Sequence, residues 1–244
     1  MKGLALCVLC LFLLAGCEPQ AARPAAVEKT AVSSERLSVA SESRLAAGQA
    51  GSSKSHGLRV WFFNLDSANP SGAWSWGQSD AKGTLGSFDL FPWNGRTADG
   101  DVPYWTVAGG AINNPNVGRN TTDHVLHGVQ PHELAFHPGP DRRLCVVRWT
   151  APQSGSVFVW GCFGAGDSGK VDVYVVKTNG DGQATEVLFK ALNTPADEPF
   201  KVTTRIREGE TIDFAVGNAG AWEFDSTPLA ATIVLEPDPV SGSK

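Results

Sequence analysis

From Leu144 onwards the chain alternates apolar and polar residues with a period of two, and this pattern restricts it to β-structure. Val171, Val173 and Val175 alternate with Asp172 and Tyr174. Phe200, Val202, Thr204 and Ile206 alternate with Lys201, Thr203, Arg205 and Arg207. Ile212, Phe214 and Val216 alternate with Thr211, Asp213 and Ala215, and Leu229, Ala231, Ile233 and Leu235 close the series. A strand turns successive side chains to opposite faces, so each run makes a sheet with one buried face. Pro152-Gln153-Ser154-Gly155, Asn179-Gly180-Asp181-Gly182 and Glu208-Gly209-Glu210 separate the runs with residues that favour turns. No window long enough for a helix carries an apolar stripe at helical spacing. Short antiparallel strands at this spacing predict an all-β fold, an antiparallel, jelly-roll-like β-sandwich.

Upstream the signal is weaker. Residues 58–63 open the domain as a strand, and 64–140 are rich in Gly, Asn and Trp, with short strand candidates at 87–91, 104–108 and 124–126. The sandwich is expected over 58–236, with 237–244 as a disordered tail. Residues 18–57 contain no aromatic side chain and are rich in Ala, Ser, Glu, Arg and Gln. They have too little apolar surface to offset the entropy of ordering, so a disordered stalk is expected. There is no internal repeat and no sign of a second domain.

The start of the chain has the form of a lipoprotein signal peptide over 1–17. Lys2 supplies positive charge, and residues 3–14 are apolar but too short to span a bilayer. Leu14-Ala15-Gly16-Cys17 resembles the bacterial lipobox, which implies lipidation of Cys17 and a membrane anchor built on acyl chains. The expected location is the cell envelope. Glu18, where an inner-membrane protein of this kind commonly has Asp, favours the outer membrane over the inner. A net charge of −5 argues against nucleic acid as a partner. With 27 glycines, eight tryptophans and a single methionine, the composition suits an extracytoplasmic sandwich.

Two cysteines remain beyond Cys17. Cys145 and Cys162 flank an apparent hairpin across 151–155. In a register centred between Gln153 and Ser154 they stand opposite each other, with Val147 facing Trp160 and Trp149 facing Phe158. The residues admit a cross-strand disulfide or two buried thiols; the disulfide is the expectation taken.

Several short strings together resemble a β-sandwich module of secreted planctomycete-type proteins. They are His137-Pro138-Gly139-Pro140, Val146-Val147-Arg148-Trp149-Thr150-Ala151-Pro152, Asp172-Val173, Leu188-Phe189, Glu210-Thr211-Ile212-Asp213-Phe214-Ala215-Val216-Gly217 and Asp225-Ser226-Thr227. Trp74-Ser75-Trp76-Gly77 is similar to the opening of that module. The resemblance covers about 74–235 and implies an architecture like that of carbohydrate-binding modules. It says little about function, because the module itself has no well-defined one.

Trp74, Trp76, Trp93, Tyr104, Trp105 and Trp222 sit in Gly-, Asn- and Pro-rich segments rather than in the alternating runs. Aromatic faces on loops are what a glycan site needs, because sugar C–H faces stack on indole. Asn94, Arg96, Asp99, Asn113, Asn114 and Asn218 are the polar neighbours. The competing reading is that these rings pin long loops to the sandwich. Trp61, Trp149 and Trp160 fall inside strand patterns and are assigned to the core. Arg148 is expected either to hold a ligand carboxylate or to pair with Asp172 or Asp213, the pairing being favoured. His124, His127, His132 and His137 crowd together, but intervening Pro and Gly argue against a shared zinc site. Asp99-Gly100-Asp101 and Asn179-Gly180-Asp181-Gly182 are candidates for a structural Ca²⁺, though turn formation explains them equally well. No other cofactor is indicated. No nucleophile elbow, HExxH or phosphate loop is present, and Asp123, Glu133, Asp213, Glu223 and Asp225 form no recognisable catalytic pair. The functional expectation is a lipid-anchored, non-catalytic binding module for polysaccharide. An envelope adaptor that contacts another protein stands second, and a glycan-active enzyme third.

Overall fold

The computed structural model describes residues 58–60, 65, 68–97, 102–107 and 114–239. The leader with Cys17, the stalk, Trp61, Asp99 to Asp101, Asn113 and the last residues of the tail lie outside them. Every regular element described is a strand: β1 (Leu58–Val60), β2 (Trp74–Gln78), β3 (Asp89–Leu90), β4 (Trp93–Arg96), β5 (Pro103–Thr106), β6 (Asn116–Arg119), β7 (Leu134–His137), β8 (Cys145–Thr150), β9 (Gly155–Phe163), β10 (Val171–Thr178), β11 (Ala184–Thr194), β12 (Glu198–Ile206), β13 (Thr211–Gly217) and β14 (Thr227–Pro237). Sheet one has eight strands in the order β12-β9-β14-β7-β6-β5-β4, with β1 also on β14. Sheet two has six, in the order β11-β10-β13-β8-β2-β3. The ladders are antiparallel and the fold is the expected sandwich. From β7 onwards the chain crosses between sheets at every connection except the β10–β11 hairpin, the alternation typical of a jelly roll.

The alternating runs place their apolar faces between the sheets. Phe136, Val157, Val159, Phe163, Phe200, Ile233 and Leu235 come from sheet one, and Trp76, Val147, Trp149, Val173, Ile212 and Phe214 from sheet two. Phe163 meets Phe200 at 5.4 Å between ring centroids, and Phe200 meets Phe214 at 6.0 Å, bridging the two layers. Tilted aromatic contacts of this kind add to the area they bury. Trp149 is in the core as expected. Trp160 is not: it is half-buried on the outer face of sheet one, opposite Lys201 on β12 and Thr232 on β14.

β8 and β9 do not form the expected hairpin, and Cys145 and Cys162 are free thiols. The connection after Thr150 is an arch: β8 pairs with β2 and β13, whereas β9 pairs with β12 and β14 in the other sheet. Ala151 holds the arch to the neighbouring 207–210 turn, its amide donating to the Glu210 carbonyl at 2.9 Å and its carbonyl accepting from the Gly209 amide at 2.9 Å. Two strands that each bury a full apolar face gain more by facing each other across the core than by lying side by side. Cys145 therefore points into the core, donating to the Asn116 carbonyl at 3.0 Å. Cys162 lies at a register position on the outer face of sheet one, across from Ala230 and Pro199. A sheet separates the two sulfurs, which excludes a bridge.

The segment expected as a strand at 124–126 is a loop closed by an isolated bridge between Leu126 and Val129. Asn120 pins that loop, its side-chain amide donating to the carbonyls of His124 at 2.8 Å and Val129 at 2.9 Å. Asn179-Gly180-Asp181-Gly182 is the tip of the β10–β11 hairpin. The Asn179 Oδ1 accepts from the amides of Asp181 and Gln183 and is occupied with closing the turn.

Candidate functional site

The expected aromatic platform does not form. Trp74, Trp76 and Trp105 are buried among the core residues, and the Trp105 indole N–H donates to the Leu65 carbonyl at 2.7 Å. These tryptophans belong to strands β2 and β5, too short and too glycine-rich in their surroundings to show a period-two pattern. Tyr104 is buried as well, beneath Trp93. Of the six aromatics, Trp93 is exposed and Trp222 half-buried. Arg148 is committed to structure. Its Nε and Nη2 donate to the two oxygens of Asp213 at 2.7 Å each, and Nη2 also donates to the Gly86 carbonyl at 2.8 Å. Its guanidinium lies 4.3 Å from the centre of the Phe88 ring. The favoured pairing with Asp213 is thus the one found, and it takes up Nε and, together with the Gly86 carbonyl, Nη2.

What the fold builds is a groove on the outer face of sheet one. The register sets Gly95, Tyr104, Gly118 and Ala135 in a row across β4, β5, β6 and β7, and beside it a second row of Trp93, Thr106, Asn116 and His137. Gly118 and Ala135 give the groove a floor without bulk, and its free volume is about 150 Å³. One wall is Tyr104, against which Trp93 packs at a tilt from outside the cavity, 5.7 Å between ring centroids. A side chain on Gly95 would collide with the Trp93 indole, so the glycine is what lets that ring lie along the sheet. The other wall is His137, with Trp222 edge-on at 6.1 Å. Arg119, Asn120, Leu126 and His127 also line the cavity.

The electrostatics of the groove are neutral to weakly basic. Burial holds the His137 imidazole below its ordinary range, against the hydrogen bond to the Pro138 carbonyl and the Asp167 carboxylate, which favour the charged form, while nearby His127 adds to the lowering. Its Nδ1 lies 2.9 Å from the Pro138 carbonyl. A carbonyl only accepts, so Nδ1 carries the proton and Nε2 keeps a lone pair. Arg119 donates through Nε to the His132 carbonyl at 3.3 Å, and its Nη groups have no protein partner among the described residues. The histidines do not converge on a metal: His124, His127 and His132 are exposed, and no group of three or more His, Cys, Asp or Glu is arranged to hold an ion among the described residues.

A second, smaller pocket lies beside the groove. The β9–β10 loop is zipped to the approach to β14 by amides donating to carbonyls, Gly164 to Pro228, Asp167 to Ser226 and Gly169 to Phe224. Asp225 is buried here with neither carboxylate oxygen hydrogen-bonded. Burial, then the neighbouring carboxylates of Glu223 and Asp167, push its acid up to about 7. In the sequence Asp225 stands out only as an unpaired carboxylate and as part of the Asp225-Ser226-Thr227 string. Gly95 and Gly118 do not stand out there, although glycine inside Trp-Asn-Gly-Arg and Asn-Val-Gly-Arg is the sequence trace of a close approach to a strand.

No family model and no curated protein matches this chain. Among solved structures, the chain is similar to a family 35 carbohydrate-binding module from Clostridium thermocellum (13% identity, 41% of this chain and 76% of that one, TM-score 0.29). It is also similar to a mutant of a family 29 carbohydrate-binding module (12%, 47% and 80%, TM-score 0.30). A third is a carbohydrate-binding module of Cellvibrio mixtus lichenase 5A in complex with cellotriose (14%, 43% and 79%, TM-score 0.25). These likenesses are too loose to bear on what this chain binds. The class is defined by its own strands, an antiparallel β-sandwich with a groove on one outer face.

Proposed function

We propose that the domain binds carbohydrate in the groove between Trp93 and Trp222, without catalysis, and that lipid on Cys17 holds it at the cell envelope. The observation that carries this reading is the groove's construction: Tyr104 and His137 line it over a floor of Gly118 and Ala135, and Trp93 and Trp222 flank it by packing against those two rings. Indole and phenol rings offer stacking faces to sugar C–H groups. The Nε2 lone pair of His137 and the Arg119 amino groups supply an acceptor and donors for hydroxyls. Arg119 and the neutral His137 leave no carboxylate facing the floor, which favours a neutral or acidic polysaccharide over a cationic one.

The test is binding of the purified full chain to plant, algal and bacterial polysaccharides, followed by tryptophan fluorescence. Trp93→Ala and Trp222→Ala are each expected to weaken binding about tenfold, the loss of about 1.4 kcal/mol of stacking. Absence of binding to every polysaccharide overturns the reading. A stoichiometric protein partner, held without any glycan, would put the adaptor role in its place. For the anchor, Cys17→Ala is expected to move the chain from the membrane fraction to the soluble one and to remove the acyl mass.

A further inference from the structure

We propose that the pocket around Asp225 is a cation site of the Ca²⁺ type, and that its occupancy fixes the loop carrying Trp222. Asp225 is 2% exposed and offers two carboxylate oxygens with no hydrogen-bond partner. A buried carboxylate in that condition requires a counter-charge or a proton. The pocket it faces has about 10 Å³ of free volume, room for one ion or one water. Its lining includes the glycine-rich stretch Gly164, Ala165, Gly166 and Gly169, where backbone is accessible, together with Asp167 and Thr194. A side chain on Gly169 would overlap the Asp225 Oδ1, and one on Gly166 would overlap the Ser226 carbonyl. Gly169 thus brings main chain against the carboxylate, and Gly166 packs main chain against Ser226, the residue that follows Asp225.

The chemistry selects the ion. Asp167 and Glu223 add negative charge to the surroundings of Asp225. Besides Asp225, the pocket lining offers the Asp167 carboxylate, the hydroxyl-bearing residues Thr194 and Ser226, and backbone carbonyls. That all-oxygen set suits a hard cation tolerant of irregular geometry, which is Ca²⁺ rather than Zn²⁺ or a copper ion.

The same pocket adjoins the groove. Ser226 lines both cavities, and the Asp167 carboxylate is 4.0 Å from His127 on the groove side. Asp225 ends the connection from β13 to β14, in which Ala219 and Phe224 have φ of 44° and 64°. Bulky residues in the left-handed region persist only where surrounding contacts hold them. Trp222 is part of that connection, so an ion on Asp225 constrains where the indole stands. The ion site is independent of whether the groove takes sugar, and its test uses no glycan.

The full chain, stripped with chelator, is titrated with Ca²⁺ by calorimetry and thermal melting. The expected result is one Ca²⁺ per chain and a melting midpoint raised by roughly 5 °C or more at saturation. Asp225→Asn keeps the shape and removes the charge. It is expected to melt no lower than the stripped wild type, showing that it folds, and to lose both the heat and the shift. Glu223→Gln is expected to keep them. No heat and no shift in the wild type, or an undiminished Ca²⁺ effect in Asp225→Asn, overturns the site. For the second part, Ca²⁺ is expected to change the tryptophan fluorescence of the wild type but not of Trp222→Phe. An equal change in both overturns the link to Trp222.

Discussion

Arg148 and Asp213 illustrate how one ion pair is set by its surroundings. Both are largely buried, the Arg148 side chain 13% and the Asp213 side chain 3% exposed, and the fork of the guanidinium meets both carboxylate oxygens. A pair out of water contributes little net stability, but removing one partner leaves an uncompensated charge. Arg148→Met is therefore expected to cost about 3–5 kcal/mol in urea denaturation. Replacing both residues with apolar ones should recover much of that loss. His137 gives a pH signature of the opposite kind. Its imidazole titrates below its ordinary value in the folded chain, so the unfolded chain takes up the proton first as pH falls. The stability that His137 contributes is complete above pH about 6.5 and declines as pH drops from there towards the lower folded value, whereas the raised Asp225 acid costs stability as pH rises towards about 7. NMR titration of the His137 ring checks the shift. Melting against pH should show the decline reduced in His137→Asn, after allowing for Asp167 and His127, which face the same ring.

The strands of sheet one act through their outer faces. Ala135 stands on the groove floor at a strand position whose side chain points away from the core, between Leu134 and Phe136, which point into it. Ala135→Leu is expected to leave the melting temperature within a few degrees of wild type and to abolish polysaccharide binding by filling the floor. Retained affinity in that variant would place the binding surface elsewhere. The β8–β9 arch makes a different prediction. With Cys145 directed inward from sheet two and Cys162 on the outer face of sheet one, both thiols are expected to be alkylated in denaturant without reductant, adding two labels. A chain that needs reduction first would mean that the two strands pair after all. Burial pushes the Cys145 thiol far up, against backbone hydrogen bonds that lower it, so it is expected to resist reagent until the chain unfolds.

For the molecule as a whole, alternation along each strand was enough to predict a sandwich, because a period of two with turns between leaves little else for the apolar faces to do. Val171 to Val175, Phe200 to Ile206 and Ile212 to Val216 lie where that pattern puts them, with their apolar members in the core. The strands of the first half were harder to see. Asn116–Arg119 and Leu134–His137 have only four residues each, and Gly118 and Ala135 fill one of the two outward positions in each, so the alternation is too short and too weak to read. The candidate site suffered from the same limit. Trp74, Trp76 and Trp105 stand in segments that look like loops, yet their strands turn those rings inward. The residues that do line the groove were scattered among a histidine cluster and short strands that carry Tyr104, Gly118 and Ala135.

The sequence was sufficient for the all-β class and for the assignment of Trp149, Val173 and Phe214 to the core, since local periodicity is a property of neighbouring residues. It also placed the turn at Asn179 to Gly182, where Asn and Gly suit the backbone that the turn needs. Which sheet each strand joins was decided only by the tertiary structure, because that depends on burying whole faces against partners distant in the chain. The arch after Thr150 follows from that, and with it the separation of Cys145 from Cys162. So does the meeting of Trp93 with Tyr104, of Trp222 with His137, and of the β9–β10 loop with Asp225. Each joins segments that no local pattern connects, through a register that the packing of the core selects.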